Sequence, residues 1–357
     1  MTPSQVPMQL KQLFTFKCLL WVTLAAMIMG GNRAWSQQNT SAADLYEKAN
    51  QSVTVAGLPD LADRYIPTEG NAWYASLPLN EGIKQFISAQ KEAVGLVRQA
   101  SRMPLGGWNG VKDPDPQKLR EIKISSRNII ALMTLQSRVE LLNDDPDQAL
   151  DDLLSCLAMS NHVGQKAVSI TKLVEIAVNQ MATESIARVM PDLPASTLQQ
   201  LPVNLTKLPA SSSPAEVFLN ERAFASKLIN QQKGVYPEKS VQRMMNSYDD
   251  WADLMKLPLT EQSKQEEILS NKYANDPFVK MTLPILGNLR TQMQLIDLRR
   301  QLLEAGVQVL LKGEEALDAF SDPHGEGSFG YSKTPNGFIL RSQFQVRDKP
   351  VSLQFGL

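Results

Sequence analysis

The chain has 357 residues, with 36 Lys and Arg against 37 Asp and Glu for a net charge of −1, and 43% of it is hydrophobic. That balance, with no block of like charge, excludes a nucleic-acid or anionic-membrane surface built on net charge. Two cysteines and two histidines exclude a disulfide-stapled scaffold and a His-rich zinc site within one chain.

The first residues have the three parts of an export signal. Lys11 and Lys17 form a positive n-region, Cys18 to Met29 is apolar, and Ala34-Trp35-Ser36 places small residues at the −3 and −1 positions of a cleavage site. The apolar run is shorter than the ~20 residues a spanning helix needs. Residues 1–36 are therefore read as a cleaved signal, with an N-terminal membrane anchor as the alternative. Lys11, Lys17 and Arg33 leave with it and no acid does, so the net of −1 falls by three to −4. The mature chain is expected to be exported, periplasmic or extracellular, with no membrane span and with its oligomeric state open.

The body reads as mainly α, an irregular antiparallel helical bundle or stack. A helix starts at Ser41, with Asp44 at N3. Val53 to Leu79 reads as an irregular connection. Ile83, Phe86, Ile87, Val94 and Val97 then fall at helical spacing between Asn80 and Met103. Pro104 to Gln117 breaks the pattern. From Leu119 a helix buries Ile122, Ile129, Ile130, Met133, Leu135 and Leu142, and stops at Asn143-Asp144. Asp145-Pro146-Asp147-Gln148 predicts an acidic N-cap, proline at N1 and a capping box closed by Gln148. The next helix ends near Gly164, and a third runs from Lys166 to Met190. The hairpin over residues 119–163 is similar to a tetratricopeptide hairpin, but no second copy recurs at a fixed period of about 34 residues. A second capping box, Ser213-Pro214-Ala215-Glu216, opens another helix. Further helices are expected over 237–257 and 260–274, and a long one from about Leu283 to Leu311, with Leu286, Leu289, Met293, Ile296 and Leu303 on one side.

After Phe320 the character changes, so the division is 1–36 signal, 37–320 helical domain and 321–357 a docked C-terminal unit. Ser328–Ser332, Gly337–Gln345 and Val351–Phe355 predict a three-stranded antiparallel meander. Asn336-Gly337 is the signal for the first turn and Arg347-Asp348-Lys349-Pro350 for the second. Phe338, Leu340 and Ser342 share one face. A sheet this small needs a helix to pack on, and the long helix before it is the expected partner.

No residue set stands out as catalytic, cofactor-binding or metal-binding. Cys156, in the run Leu153-Leu154-Ser155-Cys156-Leu157, is expected to be a buried small hydrophobe. His162 falls in the last turn of its helix, where a cation suits the dipole. His324 is expected on an exposed turn. Gly325-Glu326-Gly327-Ser328-Phe329-Gly330 matches G-x-G-x-x-G, but a helix precedes it and a strand follows, the reverse of a dinucleotide site, so its glycines read as turn residues. The acids at 144, 145, 147, 151 and 152 surround a helix N-terminus and read as capping charges. Those acids lack the alternating oxygens, glycine and closing glutamate of a calcium loop, whereas Glu314, Glu315 and Asp318 lie together near Asp322 and could offer oxygens to a cation. Trp73, Tyr74, Trp108 and Trp251 sit in or beside the connections and are expected to plug the core edge under loops.

Asp322-Pro323, Gly327, Phe329-Gly330-Tyr331 and Asn336 to Ser342, following a long leucine-rich helix, resemble the ending of a group of exported bacterial proteins with helical bodies and no assigned activity. Over the last sixty or so residues the helix-then-sheet ending is also similar to the globular part of type II secretion pseudopilins. Their attached, methylated N-terminal helix has no counterpart here. The resemblance implies export and a fold, and supplies no site residues or cofactor. The expectation is a non-catalytic exported protein that binds another protein or envelope component. The alternatives are a hydrolase of envelope or extracellular polymers using Asp and Glu, with Trp73, Trp108 or Trp251 at its cleft, and a periplasmic small-ligand or metal-binding protein.

Overall fold

A computed structural model describes residues 40–55, 78–108, 116–231, 237–346 and 348–356, with the backbone alone at 54, 55, 116, 259, 260, 277, 278 and 280–286. The segment read as an export signal, most of the first connection with Trp73 and Tyr74, and the side chain of Leu286 lie outside the described residues. Mainly helical architecture with a C-terminal three-stranded antiparallel sheet is what the described chain adopts.

Helix α1 (Ala42–Val55) begins at a reciprocal cap. Ser41 Oγ accepts from the Asp44 N–H at 3.2 Å, and Asp44 accepts from the Ser41 N–H at 2.8 Å. The stretch read as one helix from Asn80 to Met103 is two, α2 (Glu81–Ala89) and α3 (Lys91–Ser101). The hinge is Gln90, whose N–H bonds back to Ile87. Its side chain is buried and accepts from Ser52 of α1, a tertiary bond that periodicity does not register.

Helix α4 (Pro116–Leu142) packs antiparallel on α5 (Pro146–Val163). Asp144 takes a left-handed φ of 61° in the turn, a conformation that short polar side chains tolerate. Asp145 caps α5 by accepting from the Gln148 N–H at 3.1 Å, but the predicted box does not close. Gln148 turns its amide to Asp152 instead. Leu142 is a second correction, since it lies in the last turn of α4, past the wall of the core, and is 64% exposed.

Helix α6 (Ser169–Val189) starts three residues later than expected, after Lys166 turns the chain at φ 50°. It touches α4, α5, the long C-terminal helix and the sheet, and most of its sides are buried. A helix covered on so many sides carries little amphipathic signal. A 3-10 turn (Met190–Asp192) leads to α7 (Ala195–Thr206). Helix α8 (Pro214–Gln231) opens with the expected box, Ser213 and Glu216 capping each other. Helices α9 (Glu238–Leu254) and α10 (Leu259–Tyr273) follow. Helix α11 (Pro277–Lys312) starts six residues before the expected Leu283 and runs through Pro284. A 3-10 turn (Glu314–Ala319) then leads towards the sheet.

Two hydrophobic cores result. The larger takes α1 to α7, Leu295 to Val309 of α11, and the sheet. The smaller takes α8, α9, Tyr273, and Val279, Leu289 and Met293 of α11, with Ile176 of α6. Helices α6 and α11 are thus common to both.

Strands β1 (Gly330–Thr334), β2 (Gly337–Val346) and β3 (Lys349–Phe355) form the meander in the order β1-β2-β3. Phe338, Leu340 and Ser342 share the buried face, as expected. Thr334 pairs with Gly337, so Pro335 and Asn336 form the turn, one residue earlier than Asn-Gly would place it. Gly337 is needed for proximity instead, because a Cβ there would stand 1.9 Å from the Phe355 carbonyl oxygen. The sheet packs on α11 and, beyond the expectation, equally on α6. Phe355 seats on Gly306 of α11, while the Gly356 N–H bonds to Ala187 O at 3.3 Å and Arg188 donates to Gly356 O at 3.0 Å.

Candidate functional site

Perturbed carboxylates mark catalytic clefts, and several carboxylates of this chain are buried. On α5, Asp152 has no exposed surface and receives two bonds from Arg98 of α3, at 2.7 and 2.8 Å. Arg98 also reaches Glu140 of α4 at 3.0 Å. Burial pushes the Asp152 carboxyl up to about 6 against the pull of Arg98. The triad pins three helices together, and its carboxylate faces no opening. The other acids near this helix start are likewise spent: Asp145 caps, Asp147 accepts from Thr197 at 2.8 Å, and Asp151 pairs with Arg102 at 2.9 Å. Local spacing identified the capping role of Asp145 and missed the partners of Asp147, Asp151 and Asp152 on α3 and α7.

The nearest approach to a catalytic constellation is Lys172, Glu175 and Ser211. Ser211 donates to Glu175 Oε1 at 2.8 Å and accepts from Lys172 Nζ at 3.2 Å, and Lys172 and Glu175 are in contact at 2.8 Å. A hydroxyl between an amine and a carboxylate has the components of an activated nucleophile. The surroundings give it a different role. Lys172 also donates to Ser212 O at 3.0 Å, and the N–H groups of Ser212 and Ala167 are used by Gly164 O and Ser212 Oγ. No donors are left among these to receive an oxyanion. Asn161 and Gln165 bind the carbonyls of Pro209 and Ala210, so the group is a strap fastening the 207–213 connection to the α5–α6 turn.

Cys156 is fully buried, as expected, with its thiol pushed far up by burial. His162 departs from expectation. It is not a cation at a helix end but a fully buried ring. Nε2 lies 2.7 Å from Met103 O, which only accepts, so Nε2 carries the proton and Nδ1 accepts from the Tyr46 hydroxyl at 3.1 Å. Burial lowers its pKa from the ordinary 6.5. His324 is half-buried rather than exposed, with its ring 4.3 Å from that of Phe344. Asp322 is buried and accepts from the His324 N–H, Ser342 Oγ and the Gln343 N–H, so it anchors the turn and offers no oxygen to a cation. Gly327 takes a φ of 81° and serves as a turn residue. Trp108 stacks on Tyr46 at 5.4 Å and Trp251 lies in the smaller core, so both plug the interior. Among the described residues no three His, Cys, Asp or Glu side chains come together to hold a metal ion.

An open groove of about 410 Å³ remains, where α6, α11 and the β2–β3 hairpin meet. Leu173 of α6, Asn288, Thr291 and Gln292 of α11, and Gln345 and Val346 of β2 line it. Leu173 and its neighbour Ile170, one turn away, are 40% and 47% exposed. Among the described residues the lining carries amides, a hydroxyl and aliphatic groups, with no ionised side chain and no aromatic. Such a surface hydrogen-bonds and excludes water, and supplies no acid, base or nucleophile. Nothing in the sequence marked it, because uncharged polar residues on exposed helix faces are common.

Comparison with protein-family models, with curated proteins and with solved structures finds no match to this chain. No helix among the described residues is long and apolar enough to cross a membrane.

Proposed function

We propose that this is a non-catalytic exported protein that binds a partner, another protein or an envelope component, through the groove between α6, α11 and the β2–β3 hairpin. The observation that carries the reading is the groove's uncharged lining, set against buried carboxylates that are spent on joining helices. The three-part signal and the resemblance of the C-terminal stretch to exported helical proteins support the compartment. The hydrolase alternative draws no support from the described residues, since Asp152 and Glu175 are 0% and 1% exposed and face separate helix junctions. A small-ligand role is consistent with the groove's volume but gains no metal cluster among the described residues.

N-terminal sequencing of the mature protein is expected to begin at Gln37. A photo-crosslinking residue at position 288 in the groove is expected to capture a specific component in the native envelope fraction. The same residue at the exposed position 268 on α10 is not. Equal capture at both positions, or cleavage of an envelope polymer by the purified protein, would remove the proposal.

A further inference from the structure

We propose that His162 is an acid-operated latch: as a neutral ring it holds the Met103–Trp108 segment and helix α1 on the bundle, and protonation of Nδ1 lets both go. The latch joins three parts of the chain that are far apart in sequence. Nε2 of His162 donates to Met103 O, Nδ1 accepts from Tyr46 of α1, and Gly106 lies so close that a Cβ there would stand 2.7 Å from His162 Cβ. The segment in turn clamps the start of α1, because Gly106 O accepts from the Ala43 N–H at 2.7 Å and Gly107 packs on Ser41. Gln165 holds the same segment from the outside, accepting from the Gly106 N–H and donating to Pro104 O. Trp108 closes it by stacking on Tyr46.

This arrangement suits one protonation state only. With Nδ1 protonated, both ring nitrogens become donors. The Tyr46 hydroxyl must reverse to accept, and its hydrogen then has no partner in a site where Tyr46 and His162 are both fully buried. Among the described residues the new charge also finds no counter-ion. Tyr46 on α1 and Cys156 on α5 are neutral, and 103–108 carries no ionisable side chain. Arg98 and Arg102 of α3 are occupied by Asp152, Glu140 and Asp151, and Lys172 and Glu175 of α6 pair with each other. In the released state the ring is solvated and takes up its proton at the ordinary imidazole value.

The sign follows. A histidine whose pKa is lowered in the closed state gives stability that is full above the ordinary 6.5 and is lost as the pH falls below it. One proton per opening makes the open population rise by up to about tenfold per pH unit between that point and the lowered value of the closed state, and level off below it. Asp152, on the same helix, works the other way. Its raised pKa means the folded form takes the proton first, so acid does not weaken the bundle through it.

Hydrogen exchange of the full chain, corrected for intrinsic rates, reads the latch directly. Between about pH 8 and about pH 5, peptides covering α1 and 103–108 are expected to exchange faster by roughly an order of magnitude or more, with α11 peptides unchanged. His162→Gln keeps a donor and an acceptor without titrating and is expected to abolish the difference. Tyr46→Phe removes the hydroxyl hydrogen that protonation would strand, and is expected to move the midpoint to higher pH. The proposal fails if α1 and 103–108 show no acid-dependent exchange in the wild type. It also fails if the dependence persists in His162→Gln, or, where that variant does not fold, if Tyr46→Phe leaves the midpoint in place.

Discussion

Two arginines at helix junctions, Arg98 half-buried and Arg299 buried, show how far a side chain's partners decide its effect. Arg98 serves two carboxylates, whereas Arg299 of α11, 8% exposed, donates to the neutral amide of Gln180 and has a second nitrogen without a hydrogen-bond partner. Burial lowers the Arg299 pKa to about 10. Arg98→Met should leave Asp152 ionised in an apolar site and lower stability by roughly 3–5 kcal/mol at neutral pH. Arg98 holds that carboxyl down, so in the variant its pKa lies above the wild type's value of about 6, and the loss should shrink as the pH falls towards about 6 and level off below it. Arg299→Met removes a poorly compensated charge and should raise stability by about 1 kcal/mol. Urea denaturation at two pH values measures both. Neither role was legible from composition, since their partners lie on other helices and sequence spacing reports only neighbours on the same one.

Element boundaries were legible where a local bond makes them. Ser41 with Asp44, Asp145 with Gln148, and Ser213 with Glu216 each start a helix where the sequence placed it, because capping is a bond between residues three apart. The errors arise where distant contacts intervene. Gln90 splits a continuous pattern by bonding to α1, and the first hairpin turn shifts by one residue because Gly337 is needed against Phe355. The seat of the sheet offers a test of competing effects. Gly306→Ala should gain about 1 kcal/mol of helix propensity. The added Cβ, however, would stand 2.1 Å from the ring of fully buried Phe355. Overpacking costs about 1–3 kcal/mol, so a net loss is expected, and Phe355→Leu in the same chain should recover part of it. Thermal unfolding of the single and double variants would show this, and an unchanged Gly306→Ala would mean that the ring is free to move.

At the scale of the whole molecule, fold class and sheet order followed from periodicity and turn chemistry, while the groove and the His162 site did not. Tyr46 and His162 are 116 positions apart, and three separate elements build the groove. The division into two cores also escaped the sequence, because α11 reads as one uninterrupted stripe. Its residues to Met293 belong to the smaller core and those from Leu295 to the larger. If the helix couples the cores mechanically, breaking it between them should uncouple their unfolding. Gln292→Pro removes a helical hydrogen bond and costs about 3 kcal/mol or more. In the wild type, fluorescence of Trp108 in the larger core and Trp251 in the smaller should change together in urea. In Gln292→Pro the two transitions should separate, and continued coincidence would show that α6 alone suffices.

The shared helix also bears on how quickly the chain reaches this arrangement. Leu205 of α7 and Leu295 of α11 must enter the same core, and about 90 residues of open loop would have to close to bring them together. Those residues include α8, α9 and α10, whose own contacts are short in sequence and whose product is the smaller core. A unit of that kind forms before distant parts meet, and α11 leaves it already directed towards the larger core. Trp251→Leu should therefore slow refolding more than it hastens unfolding, as stopped-flow measurements would show. The smaller core then serves as a brace that shortens the search for the larger one.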